Sequence, residues 1–383
     1  MHIKGFLHKL LSSVTHKKRL TTLALLVETV IKSKKLSLSA LARELPPTTQ
    51  ERHAIKRVDK FLGNTKLHKE REAIYKIGID YLLGSSKRPI IIVDWSNIPN
   101  TTNYLLRAAL VTQGRALSLY EEVYPQELLG NNATQKAFLL KLKTLLPSDV
   151  KPIILTDAGF YNDWFKAVAK LNWDYVGRLR GNHTYFDGKQ WIKCLKTFAQ
   201  ATAKATHLGY VKLCKKNTAD ASLYLIKEPP LKHKKHINNK SGGNSDSYRK
   251  SANDPWLLAS SLSGENISAE TVINLYKKRM QIEEGFRDLK SSKYGLSFEH
   301  AYSKKIERIQ VLLLLAMLAS LIAHLTGLAA ENENLHYQFQ ANTIRTRRVL
   351  SFFFLGCQII IKKIPIPEQA FLNAHKELQA YAA

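Results

Sequence analysis

Acid is scarce in this chain. Its 383 residues carry 31 Asp and Glu against 58 Lys and Arg, a formal net charge of +27. An excess of that size creates a field suited to a polyanion. The charge runs from end to end rather than sitting in one tail, as expected of a long contact surface on nucleic acid; membrane headgroups are the weaker alternative. Cysteine is nearly absent: Cys194, Cys214 and Cys357 stand alone, without the close pairs of a zinc site or the even count of a disulfide framework. Reduced structural thiols in a cytoplasmic, nucleoid-associated protein are the expectation. The opening MHIKGFLHKLLSSVTHKKRL has no long apolar core before a small-residue cleavage site, so no signal peptide is read there, and no repeat of fixed period is found. A single long apolar run, Val311 to Ala330, matches the length of a transmembrane helix. It stands alone, carries His324 and follows a charged helix, so a helix buried in a mixed α/β core is the better expectation, and no membrane partner is expected.

What is present divides into segments. With 45% hydrophobic residues the chain can bury substantial cores in two or three domains. Residues 1–85 read as a helical DNA-binding domain. Within it, Lys56, Arg57 and Lys60 fall at helical spacing beside Ile55, Val58 and Leu62, as in an amphipathic helix laid on a phosphate backbone; a solvated basic face is the alternative. From Arg88 the pattern turns to strands. Pro89 to Asp94 is a short apolar run ending in an acid, and strands follow near Leu105–Val111 and Arg115–Val123. A helix over Gln135–Leu146 comes next, then Pro152 to Asp157, again apolar and ending in an acid. A helix over Asn162–Leu171 and a strand over Asp174–Leu179 complete the series. The order βββαβαβ is that of a ribonuclease-H-like fold, a mixed sheet flanked by helices. Its first part is placed at 86–182 and its second at 255–330, around a β-rich insertion and basic linker at 183–254. The polar stretch Pro229–Asn253 is linker by composition, Trp256–Leu262 reads as a strand, and 331–383 as a C-terminal helical region.

The sharpest feature is YKKRMQIEEGFRDLK, residues 276–290. As one helix it gathers Tyr276, Arg279, Glu283, Arg287 and Lys290 within about 80° of arc, one carboxylate among four partners suited to phosphate. Leu275, Ile282, Phe286 and Leu289 form the adjoining apolar stripe. Two acids at strand tips, Asp94 and Asp157, and a third on this helix, Glu283, would converge on one point. Three carboxylates suit two Mg²⁺ ions about 3.5–4 Å apart, which drive in-line displacement at phosphorus; Mn²⁺ is expected to substitute. Asp94 and Asp157 each also fit a turn-forming Asp. Asp163, Asp174, Asp187 and Asp254 lack the strand-end context, and Glu284 points about 100° from Glu283.

The spacing Tyr276-x₂-Arg279-x₃-Glu283-x₆-Lys290 resembles the Tyr-Arg-Glu-Lys signature of the IS-four family of bacterial insertion-sequence DDE transposases. IVDWSN around Asp94 and ILTDAGF around Asp157 look like that family's other acid blocks, and the gap from Asp157 to Glu283 is similar to its β-strand insertion. The resemblance implies Asp94, Asp157 and Glu283 as catalytic, metal-binding residues, with Tyr276, Arg279 and Lys290 gripping DNA phosphates; Arg287 matches a position also basic in relatives. Trp256 matches a tryptophan that stacks a flipped base, though a core tryptophan remains an alternative. Implied too are cut-and-paste transposition by nicking, hairpin formation and opening, and strand transfer, on double-stranded DNA comprising terminal inverted repeats and target, by a homodimer in the synaptic complex. A nuclease without strand transfer and a non-catalytic, transposase-derived DNA-binding protein are the alternatives.

Overall fold

Apolar residues at helical spacing shape the start of the chain. The structure, a computed structural model, describes residues 3–46, 50–227, 254–262 and 267–382. Helices α1 (Ile3–Leu11), α2 (Lys17–Ser33), α3 (Leu38–Arg43), α4 (Glu51–Leu62) and α5 (Thr65–Leu83) bury one face each. The side chain of Asn64 caps α5 by accepting from the N–H groups of Lys66 and Leu67. Strands β1 (Ile90–Asn97), β2 (Asn103–Val111) and β3 (Ala116–Pro125) then form an antiparallel meander, followed by α6 (Asn132–Leu145).

The parallel pair β4 (Ile153–Thr156) and β5 (Asp174–Leu179) is joined by α7 (Asn162–Lys170), which completes the βββαβαβ order. Next come β6 (Thr184–Phe186), β7 (Trp191–Lys193), the short α8 (Cys194–Thr197), β8 (Thr206–Leu213), β9 (Ala219–Ile226) and β10 (Trp256–Ser260). The inserted strands continue a sheet: β10 pairs with both β5 and β9, and β9 leads through β8 to β6 and β7. The basic linker expected at Pro229–Asn253 lies outside the described residues. The remaining elements are α9 (Ala269–Lys277), α10 (Met280–Lys290), α11 (Ile306–Asn332), α12 (Phe352–Ile361) and α13 (Glu368–Ala382). The chain forms two compact units, one of Met1–Pro152 with Met280–Ala383 and one of Ile153–Arg279. The fold is the expected mixed α/β arrangement with helical regions at both ends.

Two expectations need correction. Asp94 is not at a strand tip, because β1 continues through Trp95, Ser96 and Asn97, which pair with Leu106, Leu105 and Tyr104 of β2. Tyr276 to Lys290 is not one helix. The N–H groups of Lys278 and Arg279 bond back to the carbonyls of Leu275 and Tyr276, three residues away, and this tighter turn ends α9 before α10 starts.

The long apolar run is α11. It is long enough to cross a membrane, but 94% of its most apolar window is buried in the protein, against α2, α12, α13 and β3. The imidazole of His324 lies inside, edge-on to Phe352 at 5.1 Å. Burial, with Arg348 and Arg115 nearby, pushes its pKa down to about 3, so it stays neutral. Helices α11 and α12 cross so closely that a Cβ on Gly356 would lie 1.8 Å from the Ala323 carbonyl oxygen, and one on Gly327 2.0 Å from that of Phe352. Backbone touches backbone, so neither neighbour can rotate away. Gly356→Ala is expected to cost at least about 2 kcal/mol, read from the urea midpoint at constant slope; an unchanged midpoint would show that the crossing is loose.

Candidate active site

In the first unit the site grows from one row of side chains across the meander. Asp94 of β1 stands directly opposite Arg107 of β2, and Arg107 opposite Glu121 of β3. Opposed residues share a sheet face, so acid, base and acid form a line. Asp94 is 9% exposed, and its Oδ1 accepts from the N–H of Trp95 at 2.8 Å. Arg107 and Glu121 are a buried ion pair. Helix α10 packs on this row: the Arg107 guanidinium lies 4.6 Å from the Phe286 ring centroid, and a Cβ on Gly285 would meet the Ala116 carbonyl oxygen at 3.3 Å. Arg115 ties the helix down through Asp288 at 2.8 Å and Glu284 at 3.5 Å. Burial raises the Asp288 pKa against the opposing pull of Arg115.

Helix α10 carries Glu283, exposed in its first turn, and Lys290 at its end, two turns or about 10 Å apart. The Lys290 ammonium donates to Ser96 Oγ and Asn97 Oδ1, each at 2.8 Å, and so joins the helix to the strand that bears Asp94. Burial, then the charge of Arg107, lowers its pKa from 10.5 to about 8. Arg287 is exposed; it pairs with Glu284 and lies 5.7 Å from the Tyr294 ring centroid. Glu284 is thus engaged in ion pairs within the protein.

In the second unit Asp157 directly follows β4, half-buried, with Oδ1 accepting from the Gly159 N–H at 2.8 Å. Tyr276 is only 3% exposed and sits edge-on to Trp256, ring centroids 5.1 Å apart. Its ring is packed inward rather than presented on an open basic face. Trp256 itself is half-buried at the start of β10. The Arg279 guanidinium is 5.9 Å from the Tyr276 ring. Burial lowers the pKa of nearby Arg178, with Arg279 and Arg180 adding repulsion and Tyr276 and Asp254 opposing it. In each unit a half-buried cation, Lys290 or Arg178, thus stands near further cations. Away from these groups, Lys56, Arg57 and Lys60 are exposed on α4 while Val58 and Leu62 are buried, as the spacing required.

Among the described residues no three His, Cys, Asp or Glu side chains gather closely enough to hold a metal ion. The donor chemistry of Asp94, Asp157 and Glu283 nevertheless fits a hard divalent cation, being all carboxylate oxygen. Arg107, Ser96, Asn97 and Asp288 were not singled out from sequence. For Arg107 a signal existed: it is the one charge in the apolar strand LLRAALV.

A ribonuclease-H-like order of strands bearing Asp94 and Asp157, followed by a basic helix bearing Glu283, places the chain in the class of nucleases and transposases. Residues 85–322 match the family model of the transposase DDE domain, and the chain belongs to that family. No curated protein matches it. Among solved structures, a piggyBac transposase synaptic complex with hairpin DNA is similar at TM-score 0.39 and 12% identity, over 96% of this chain and 84% of that one. That likeness is too distant to carry a correspondence of residues.

Lys290 gives a pH test. Its folded pKa of about 8 lies below the ordinary 10.5, so the unfolded chain binds the proton more tightly. The resulting destabilisation is full below pH 8 and is relieved as pH rises from about 8 toward 10.5. Relative to Lys290→Met, wild type should gain Tm across that window; a constant difference between the two would refute the half-buried ammonium near Arg107.

Proposed function

We propose that this DDE transposase moves an insertion sequence by cutting and pasting, with Asp94, Asp157 and Glu283 as its catalytic carboxylates. The observation that carries the proposal is the docking of α10 on β1, where Lys290 bonds to Ser96 and Asn97 within the strand of Asp94, on the helix that also carries Glu283. The three carboxylates would hold Mg²⁺, which when bound sharpens an attacking oxygen and neutralises a leaving one. Lys290 is positioned to exchange its two side-chain acceptors for a phosphate oxygen, and Arg287 and Arg279 supply further cations. Tyr276 acts through its packing with Trp256, whose half-exposed indole is the surface proposed to stack an extruded base.

The chemistry needs one kind of step. A water oxygen forms a bond to phosphorus at the element's end, the bond to the 3′-oxygen breaks, and that oxygen leaves as a hydroxyl with a proton. The freed 3′-hydroxyl then attacks the opposite strand, displacing the flanking oxygen and closing a hairpin. Water reopens the hairpin, and the same hydroxyl attacks target DNA. Each step exchanges one P–O bond for another, so a single site serves all. Two protomers are proposed to bridge two ends, with α4 contributing Lys56, Arg57 and Lys60 to the end duplex.

End-labelled donor DNA carrying the element's own ends, incubated with Mg²⁺ and resolved on a denaturing gel, tests this. Wild type should give hairpins and joined products. Asp94→Asn, Asp157→Asn and Glu283→Gln should each lose roughly a thousandfold in rate, the equivalent of about 4 kcal/mol. Open nicked ends without joining would favour a nuclease, and end binding without cleavage would favour a regulator.

A further inference from the structure

We infer that the groove between the start of α3 and the segment entering α11 is a second DNA-backbone site, continuous with α4. The groove measures about 470 Å³, and its lining includes His300, Lys304, Lys305 and Arg308 together with the hydroxyls of Ser37 and Ser39. Among the described residues no Asp or Glu lines it. Lys304 and Lys305 are exposed, and beside them Tyr302 is 73% exposed, a phenol held at the mouth of a basic groove. Basic side chains and hydroxyls match the oxygens of a phosphate backbone and offer nothing base-specific.

Arg308 connects the groove to α4. Its guanidinium pairs with Asp59, and its Nη2 lies 3.6 Å from where a Cβ on Gly63 would be. On α4, Lys56, Asp59 and Lys60 share one stripe at three- and four-residue spacing. The sequence of charges is then Lys56 and Lys60 on the helix, Arg308 at the junction, and Lys304 and Lys305 in the groove. Asp59 offsets one charge and fixes the direction of Arg308, leaving the strip basic on both sides. Helix α4, with 12 residues, is about 18 Å long, roughly half a turn of duplex. Alone it grips a short stretch; the groove extends the track along the same strand. A membrane surface fits less well, because the groove is concave and polar with a single exposed ring.

This inference rests on duplex DNA being the partner. Fluorescence anisotropy would follow binding of the full chain to a labelled 40-bp duplex of mixed sequence across about 50–300 mM KCl. Removing one lysine that neutralises a phosphate should make the slope of log affinity against log salt shallower by about 0.9. The Lys304→Ala/Lys305→Ala variant should therefore show a slope shallower by about 0.9 to 1.8 and bind about tenfold more weakly, with an unchanged Tm because both side chains are exposed. A control of equal charge loss on α6, Lys136→Ala/Lys143→Ala, should retain the wild-type slope. Equal slopes for groove variant and wild type, or equal changes in groove and control variants, would overturn the groove as a site while leaving DNA binding intact. A wild-type protein that binds no duplex would overturn both this inference and the proposed function.

Discussion

Arg107 and Glu121 form the contact on which the first unit depends. Both are buried in the middle of the meander, where an unpaired charge costs several kcal/mol. Glu121 also accepts from Tyr75 of α5 at 3.3 Å and Ser118 at 3.1 Å, and its carbonyl accepts from Arg71 at 3.2 Å. Arg71 reaches onward to Gln310 of α11 at 2.6 Å. One ion pair thus ties together a helix of the N-terminal region, two strands and the central helix. On its other side Arg107 supports Phe286 and stands opposite Asp94. The elements bearing Asp94, Glu283 and Lys290 are therefore set by the same buried charges that hold the N-terminal helices in place.

The cations in the two units follow a common logic. Lys290 beside Arg107 and Arg178 beside Arg180 and Arg279 are desolvated among like charges, and their pKa values fall for that reason. Both also hold neutral acceptors, Lys290 those of Ser96 and Asn97 and Arg178 the carbonyl of Asp254. On the proposed function, the overall charge of +27 would draw DNA in, and these half-buried cations would help to decide where its backbone rests.

Much of this was legible in the sequence, for identifiable reasons. The runs PIIIVD and PIILTD are short, β-branched and bounded by proline, so their strands could be read, and Asp157 does end its strand. Asp94 does not, because Trp95, Ser96 and Asn97 are held in the ladder by β2, a partner that local composition cannot announce. The break after Lys277 was invisible for a similar reason: no proline or glycine marks it, and the tighter turn is seen only in the backbone bonds. Helix α11 satisfied the length and apolarity of a membrane span equally well, and only the elements packed round it decided the matter. Arg107 was readable in principle as a charge in an apolar strand, but its meaning required the cross-strand register.

Asp94, Asp157 and Glu283 are proposed to serve one metal site, although Asp157 belongs to a different compact unit from the other two. Mn²⁺ affinity measured by electron paramagnetic resonance on the DNA-bound protein, for Asp94→Asn, Asp157→Asn and the double variant, addresses this most directly. A shared site predicts that the double variant loses little more than the worse single one, because either change already dismantles the site. Independent, additive losses would contradict it and would mean that the two aspartates serve separate ends.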